Sequence, residues 1–370
     1  MFAEGGANIH THSVRIGIDC RKAADFGIGT YIRGLTHSLA DLAGAERYVL
    51  FCKNADRELL PQGERFEFVD EASPNYSVRE LFALGRQIRR NALDLFHAPH
   101  YVLPFTETPA IVTIHDLIHL NQPRRNVMER PYARWMMARA VGSSRAVLTV
   151  SAAVKDQLVD RFPEAAGKTV VTPNGVNPRF TSNVSNDDAS ILARLDLREG
   201  PYLLFVGNDK PHKNLQGLLQ AFAIVRFTHP EIQLVVAGSQ PRPARDQAAV
   251  TCTGFVSDEE LHALYRGALM LVQPSLEEGF GLPVLEAMAS GVPCAVSKIA
   301  ALVEVGGEAV AVFDARSPQS IATTIIAVLR DRSRREVMID RGRERAKSFT
   351  WKTCAEKTLA VYRSSISDRH

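Results

Sequence analysis

Residues 275–291 read SLEEGFGLPVLEAMASG, and this stretch decides how the rest of the chain is understood. It follows an apolar run, LMLVQP, of strand type, and leads into a helical pattern in which Pro283 occupies the first turn, where its missing N–H costs nothing. Gly279 and Gly281 stand at the mouth of that helix. Residues without a Cβ let backbone approach a ligand, and the free N–H groups of a first helical turn carry the positive end of the helix dipole. Such a mouth suits phosphates and polarised hydroxyls. Glu278 and Glu286 flank it, eight residues apart, so that two carboxylates reach different parts of one ligand, as a ribose diol and a sugar would require. The same residues also fit a plainer reading, with Glu286 pairing with the helix dipole and Glu278 exposed on a loop.

Composition limits the setting. A chain of 370 residues exceeds what one core ordinarily supports, so two domains are expected. Forty-four Lys and Arg against 41 Asp and Glu leave a net charge of +3, too balanced to suggest a nucleic-acid partner. Five cysteines with no CxxC pair suggest neither a disulfide framework nor a zinc site. The N-terminus lacks the basic and apolar regions of a signal peptide, and nowhere do about 18 apolar residues run together. The expectation is a cytoplasmic protein with a disordered extension over residues 1–13.

From residue 14 the chain alternates short β-branched runs (VRIGID, YVLFC, FEFVD, LDLFHA, AIVTIHD, AVLTVS, KTVVTPNGV) with helical segments near 28–43, 78–92, 126–143 and 152–162. After a polar linker at 177–190 the alternation restarts with YLLFVG, IQLVVAG, VTCTGFV, LMLVQPS, VPCAVSK and AVAVFD. Alternation of this kind predicts two α/β domains with parallel sheets, facing a cleft in which a small ligand binds.

Further residues join the argument. Lys213 and His212, in KPHKN, precede a helix; His115, in TIHD, falls at the carboxyl end of a strand, where ligands collect in open α/β sheets. Gly27 and Gly29 in FGIGTY form a second glycine turn, and Asn174 and Gly175 in TPNGV are a turn signature. No Asp-x-Asp motif and no His/Cys cluster at ligand spacing is present, so no metal site is expected, and no GxSxG or Cys–His arrangement points to a covalent enzyme intermediate.

Taken together, EEGFGLPVLEAMASGVP resembles the Glu-x7-Glu signature of the family 4 retaining glycosyltransferases. IGIDCRKAADFGIGTYIRGL, VTIHDLIH, VVTPNGV, LLFVGNDKPHKNLQGLLQAF, GFVSDEELHALYRGA and FTWKTCAEKTLAVYR match that family's other segments in order, over residues 14–366. The resemblance implies a GT-B fold of two Rossmann-like domains with parallel sheets facing an interdomain cleft. Residues 14–178 would form the acceptor domain, joined by a terminal helix at 351–370 crossing back, and residues 179–350 the donor domain. It implies that Glu286 holds the donor ribose, that Glu278 contacts the donor sugar, and that Gly279, Phe280, Gly281 and Leu282 line sugar and diphosphate through their backbone. Lys213 would neutralise the leaving diphosphate, with His212 in place of a frequent arginine, and His115 would support charge developing at the anomeric carbon. Gly27, Gly29 and Asn174 would complete the donor surroundings, with Asn174 near the hinge. Asp116 would turn away, into hydrogen bonds that hold its loop.

The implied reaction transfers a hexose with retention, without cofactor or metal, from a nucleotide-diphosphate sugar to a glycan or lipid-linked acceptor. The KPHKN form most resembles family members that use GDP-mannose, though close relatives use UDP-sugars. A helix over 78–92 would place Arg79, Arg86 and Arg90 on one face and Val78, Leu81, Phe82 and Ile88 on the other; that basic face is compatible with peripheral contact at the inner face of a membrane, although a solvated face covering the sheet is the commoner arrangement. Two other readings share the architecture: a non-catalytic two-lobed α/β receptor for a small ligand, and a GT-B sugar-nucleotide epimerase.

Overall fold

The computed structural model describes residues 13–73, 78–121, 129–195, 197, 200–238 and 249–367. The expected disordered extension falls outside these, apart from residue 13, as does the side chain of Arg79.

Seven strands form the first sheet: β1 (Arg15–Asp19), β2 (Arg47–Cys52), β3 (Phe66–Asp70), β4 (Leu95–Ala98), β5 (Ala110–Ile114), β6 (Ala146–Thr149) and β7 (Thr169–Val171), in the order β3-β2-β1-β4-β5-β6-β7. Pairing from β3 through β5 is parallel. Helices α1 (Ile28–Asp41), α2 (Val78–Arg90), α3 (Ile118–Asn121), α4 (Glu129–Ser143) and α5 (Ala152–Arg161) connect or follow these strands. The uninterrupted apolar runs noted in the sequence are what strands buried on both faces require, and Leu95–Ala98 and Ala110–Ile114 are buried at every position.

The polar stretch 177–190 is not linker throughout. Helix α6 (Asp188–Arg194) begins inside it, because Ile191 is buried and Asp188 receives two hydrogen bonds from Arg266, at 2.7 and 2.5 Å.

The second sheet contains β8 (Tyr202–Val206), β9 (Gln233–Ala237), β10 (Val250–Gly254), β11 (Met270–Gln273), β12 (Cys294–Ser297) and β13 (Val310–Phe313) in the order β10-β9-β8-β11-β12-β13, parallel throughout. Its helices are α7 (Leu215–Thr228), α8 (Asp258–Gly267), α9 (Leu282–Ala289), α10 (Ala300–Gly306), α11 (Pro318–Arg330) and α12 (Arg332–Ala346). Alternate strand residues face opposite sides: Leu203 and Phe205 pack among residues of α7 and α11, whereas Tyr202 and Leu204 pack among residues of α8, α9 and α10. Both sheets have the doubly wound order in which the strand sequence reverses direction once, between β1 and β4 in the first and between β8 and β11 in the second. Loops at the carboxyl ends of strands beside such a reversal are where α/β proteins bind ligands.

Contacts divide the chain into two units, one of Met1–Thr113, Met136–Leu148 and Ala355–His370, the other of Ile114–Trp135 and Thr149–Cys354. The last helix, α13 (Trp351–Ser367), therefore places most of its length in the first unit. There Tyr362 bonds to His97 at 2.7 Å and Arg363 to Glu46 at 2.7 Å. Within that unit, α2 departs from the simple two-faced expectation. Leu81, Leu84 and Ile88 are buried, but Phe82 is 62% exposed on the side of Arg86, its ring 5.1 Å from that of Phe105.

Candidate active site

All the predicted site residues except Gly27 and Gly29 lie in the second unit. Lys213 ends a short 3-10 turn (Pro211–Lys213) after β8; Glu278 lies in the loop after β11. Since β8 and β11 are neighbours at the reversal point, the two loops emerge side by side, and the main chain joins them where Leu276 N–H donates to the His212 carbonyl at 2.7 Å.

Their side chains meet. Lys213 Nζ donates to Glu278 Oε1 at 2.5 Å, with 17% and 10% of the two side chains exposed. Ser275 Oγ and Gln273 Nε2 donate to the same oxygen at 2.9 and 3.0 Å. Burial pushes the Glu278 carboxyl up, but the Lys213 charge and the hydrogen bonds from Lys213 and Ser275 outweigh it and hold the group below its ordinary range. The carboxylate is thus ionised and fixed through Oε1, and among the described residues nothing donates to Oε2. That oxygen is available to hydroxyls of a ligand. Its neighbour Glu277 is a different kind of acid: it binds Asn121 Nδ2 at 3.3 Å and lies nearer the surface.

The glycines are needed for close approach. A Cβ on Gly279 would stand 1.8 Å from the carbonyl oxygen of His115, so the EEGFG loop lies directly against the HD segment that follows β5. Ser151 Oγ donates to the Gly279 carbonyl at 2.7 Å and holds the loop from the other side. Gly281 precedes α9 with φ of 104°, a left-handed conformation that favours glycine, and a Cβ there would meet Leu302 Cδ2 at 2.4 Å. Phe280 is buried, edge-on to Phe349, and Leu282 opens α9 with Pro283 behind it.

Asp116 does bind its own loop, accepting from Ile118 N–H at 3.0 Å. It also belongs to the charged cluster. Burial raises its carboxyl, and the negative Glu278 adds to the rise, while Lys213 and Lys210 oppose it.

His212 is buried and neutral at physiological pH: burial first, then the charges of Lys213 and Lys210, push it down to about 4. Its Nδ1 has no partner among the described residues. His212 therefore adds no positive charge to a loop that carries Lys213 and Lys210. Asn174 is likewise buried, and its Oδ1 has no partner among the described residues. Gly175 passes so close to Trp351 that a Cβ would lie 2.0 Å from its backbone nitrogen, and Val176 N–H donates to Phe349 at 3.0 Å, tying this turn to the chain just before α13.

Glu286 stands in α9, and Tyr265 OH donates to its Oε2 at 2.8 Å. Burial raises this carboxyl to about 7, the Tyr265 hydrogen bond opposing and Asp258 adding to the rise. The two acids of the signature thus have opposite electrostatic settings, one ionised against a cation and the other close to half protonated at neutral pH. Gly27, with φ of 67°, and Gly29, whose Cβ would meet the Ala23 and Lys22 carbonyl oxygens at 2.7 and 2.8 Å, make the expected tight turn before α1 in the first unit.

Among the described residues, Asp19, Glu80 and His100 are the group whose ligand atoms come within 4.8 Å of one another. Arg21 Nη2 already bridges the two carboxylates at 2.6 and 2.5 Å, so a cation's charge is present there.

Two family models match: Glycosyltransferase Family 4 over residues 27–180 and Glycosyl transferases group 1 over residues 192–345. The O-antigen chain mannosyltransferase B of Escherichia coli is 30% identical, over 91% of this chain and 96% of that protein. The chain belongs to the family 4 glycosyltransferases. This glycosyltransferase is also 30% identical to the MMP alpha-(1->4)-mannosyltransferase of Mycolicibacterium hassiacum, over 70% of this chain and 66% of the relative. Its fold is similar to that of sucrose-phosphate synthase from Thermosynechococcus elongatus, with a TM-score of 0.77 at 20% identity, covering 96% of this chain and all of that one. The two-sheet α/β architecture is the GT-B fold. Its glycosyltransferase relatives imply a nucleotide-sugar donor and a glycan acceptor, and no helix among the described residues is long and apolar enough to cross a membrane.

Gln273, Ser275 and Tyr265 were not singled out from sequence. Gln273 carried a signal, a polar side chain ending an otherwise apolar strand, but Tyr265 looked like ordinary helix core.

Proposed function

We propose that this glycosyltransferase moves mannose from GDP-mannose to a hydroxyl of a glycan or lipid-linked acceptor, with retention of anomeric configuration and without a metal ion or other cofactor. The observation that carries the proposal is the Lys213–Glu278 pair, held by two loops at the strand reversal with Gly279 against His115. Mannose as the sugar is supported by the names of the two mannosyltransferase relatives. Residues 14–178 with 351–370 are assigned to the acceptor, and residues 179–350 to the donor.

In this reading Lys213 turns from Glu278 to the donor diphosphate, where negative charge grows as the bond from anomeric carbon to phosphate oxygen breaks. A fixed cation at that point stabilises the transition state more than the ground state. Glu278 Oε2 accepts from sugar hydroxyls, Glu286 accepts from the ribose, the backbone of Gly279 to Leu282 lines sugar and phosphate, and His115 supports the oxocarbenium-like centre. The acceptor oxygen bonds to the anomeric carbon from the departing side, and its proton passes to the departing phosphate oxygen. His212 and Asn174 shape the donor surroundings rather than carry charge, and Gly27 and Gly29 are assigned to donor binding through their backbone.

The test is transfer from GDP-mannose and UDP-glucose, with EDTA present, to a mannose-bearing polyprenyl diphosphate and to methyl α-mannoside, with the product's anomeric configuration read by NMR. An α-mannoside formed in EDTA is expected. A β-linked product, or activity that EDTA abolishes and a divalent ion restores, would contradict it.

Exposed Arg86, Arg89, Arg90 and Phe82 on α2 support peripheral contact of a cytoplasmic enzyme with an anionic membrane bearing a lipid-linked acceptor. Sedimentation with phosphatidylglycerol vesicles at low salt tests this, and failure to co-sediment would remove the membrane from the account.

A further inference from the structure

Helix α8 is fixed before it reaches Glu286. Ser257 and Glu260 form a reciprocal capping box at its start, with Glu260 N–H donating to Ser257 Oγ at 3.2 Å and Ser257 N–H to Glu260 Oε2 at 2.7 Å. One turn further on, Phe180 is edge-on to both His262 and Tyr265, with ring centroids 4.3 and 5.6 Å away. The Tyr265 ring is fully buried in this setting, and its hydroxyl reaches Oε2 of Glu286 at 2.8 Å. Among the described residues nothing donates to Glu286 Oε1.

We infer that Tyr265 is a positioning residue of the donor site: its hydroxyl holds the Glu286 carboxylate by Oε2 and so presents Oε1 to the ribose hydroxyls of the nucleotide. The inference rests on the reading of Glu286 as the ribose acceptor. It goes beyond that reading because it assigns a role to a side chain outside the Glu-x7-Glu segment.

The chemistry has a measurable consequence. A hydroxyl donating to a carboxylate favours the ionised form, and only the ionised form is acceptor-only, since protonation turns one oxygen into an O–H donor. Burial of Glu286 works in the opposite direction, as does Asp258 at the start of α8. The other elements packed against α9 supply no competing charge at this carboxylate. Glu304 of α10 is taken up by the Ala152 and Ala153 N–H groups of α5, Arg343 of α12 packs at Gly291 past the end of α9, the Cys294 thiol of β12 donates to the Val284 carbonyl, and β11 has no titratable side chain. Burial keeps the Tyr265 hydroxyl protonated through the neutral range. Among the described residues, Tyr265 is thus the one partner that favours ionisation.

The experiment follows the Glu286 carboxyl carbon by 13C NMR in the ligand-free protein, assigned with Glu286→Gln, in the parent and in Tyr265→Phe. GDP and UDP binding is then titrated across pH 6 to 9. Losing one hydrogen bond to a charged group should raise the midpoint by about one pH unit and weaken nucleotide binding about fivefold at pH 7, with recovery near pH 9. Glu286→Gln should bind weakly at every pH. A midpoint unmoved by Tyr265→Phe overturns the positioning role. A midpoint that moves while Glu286→Gln binds nucleotide as the parent does overturns the ribose reading, and the role with it. No binding of either nucleotide by the parent overturns the donor reading.

Discussion

Lys213 and Glu278 come from loops after neighbouring strands and neutralise one another at 2.5 Å. In the ligand-free chain the cation assigned to the diphosphate is thus paired with the acid assigned to the sugar. On the proposed roles, each is the other's placeholder until a donor brings phosphate to one and hydroxyls to the other.

Removing only the cation should therefore damage stability as well as activity. Lys213→Ala leaves a buried carboxylate with no counter-charge, a change that costs about 3–5 kcal/mol, and transfer should slow by roughly 100- to 1,000-fold. Adding Glu278→Gln should restore part of the stability and none of the activity. Thermal unfolding and transfer rates at saturating donor check both halves.

Gly279→Ala should be among the most damaging methyl additions, since its Cβ would stand 1.8 Å from a backbone carbonyl that has no side-chain freedom. Displacing the loop from His115 should lower kcat more than tenfold and reduce Tm. Gly167→Ala, where nothing lies within 4 Å, is the control and should leave both unchanged. Circular dichroism melting with a donor-hydrolysis assay separates the two.

Glu286 gives the ligand-free protein a pH-dependent stability of definite sign. Its carboxyl is raised to about 7, so the folded state binds a proton that the unfolded state has already released between the ordinary carboxylate range and neutrality. This group's contribution is complete in acid and is lost as pH rises through about 7. Glu286→Gln, which carries no charge to bury, should be near neutral at about pH 4 and stabilising at about pH 8, by at most about 3 kcal/mol. Urea melts at the two pH values give the difference.

The terminal helix is anchored by one buried network. His97 bonds to Tyr362 through Nδ1 and to Thr113 through Nε2, both at 2.7 Å, and Tyr31 joins Thr113 at 3.0 Å. Tyr362→Phe removes its hydrogen bond to a buried imidazole and should cost about 1 kcal/mol. Hydrogen exchange should rise first in α13.

Much of this architecture was legible from residues alone, because a parallel sheet buried on both faces demands apolar runs and each run in the sequence became a strand. The glycine mouth before Pro283 was equally plain, since left-handed backbone and close approach leave few alternatives to glycine. What could not be read was which polar side chains converge. Ser275 and Gln273 become ligands of Glu278 only through the turn after β11, and Tyr265 meets Glu286 only because α8 and α9 cover the same face of the second sheet. Phe82 misled for a local reason: helical spacing placed it with the apolar residues, yet Phe105 on the neighbouring loop gives it an aromatic partner at the surface.

The most direct test is a calorimetric titration of the purified protein with GDP-mannose, GDP, UDP-glucose and UDP in EDTA, repeated with Lys213→Ala and Glu286→Ala. The account predicts saturable, metal-free binding of the guanine nucleotides, weakened at least tenfold by Glu286→Ala and less by Lys213→Ala, whose larger effect falls on transfer. Parent-like binding in both variants, or no binding of any of the four, would contradict the assignment of this site to a nucleotide-sugar donor.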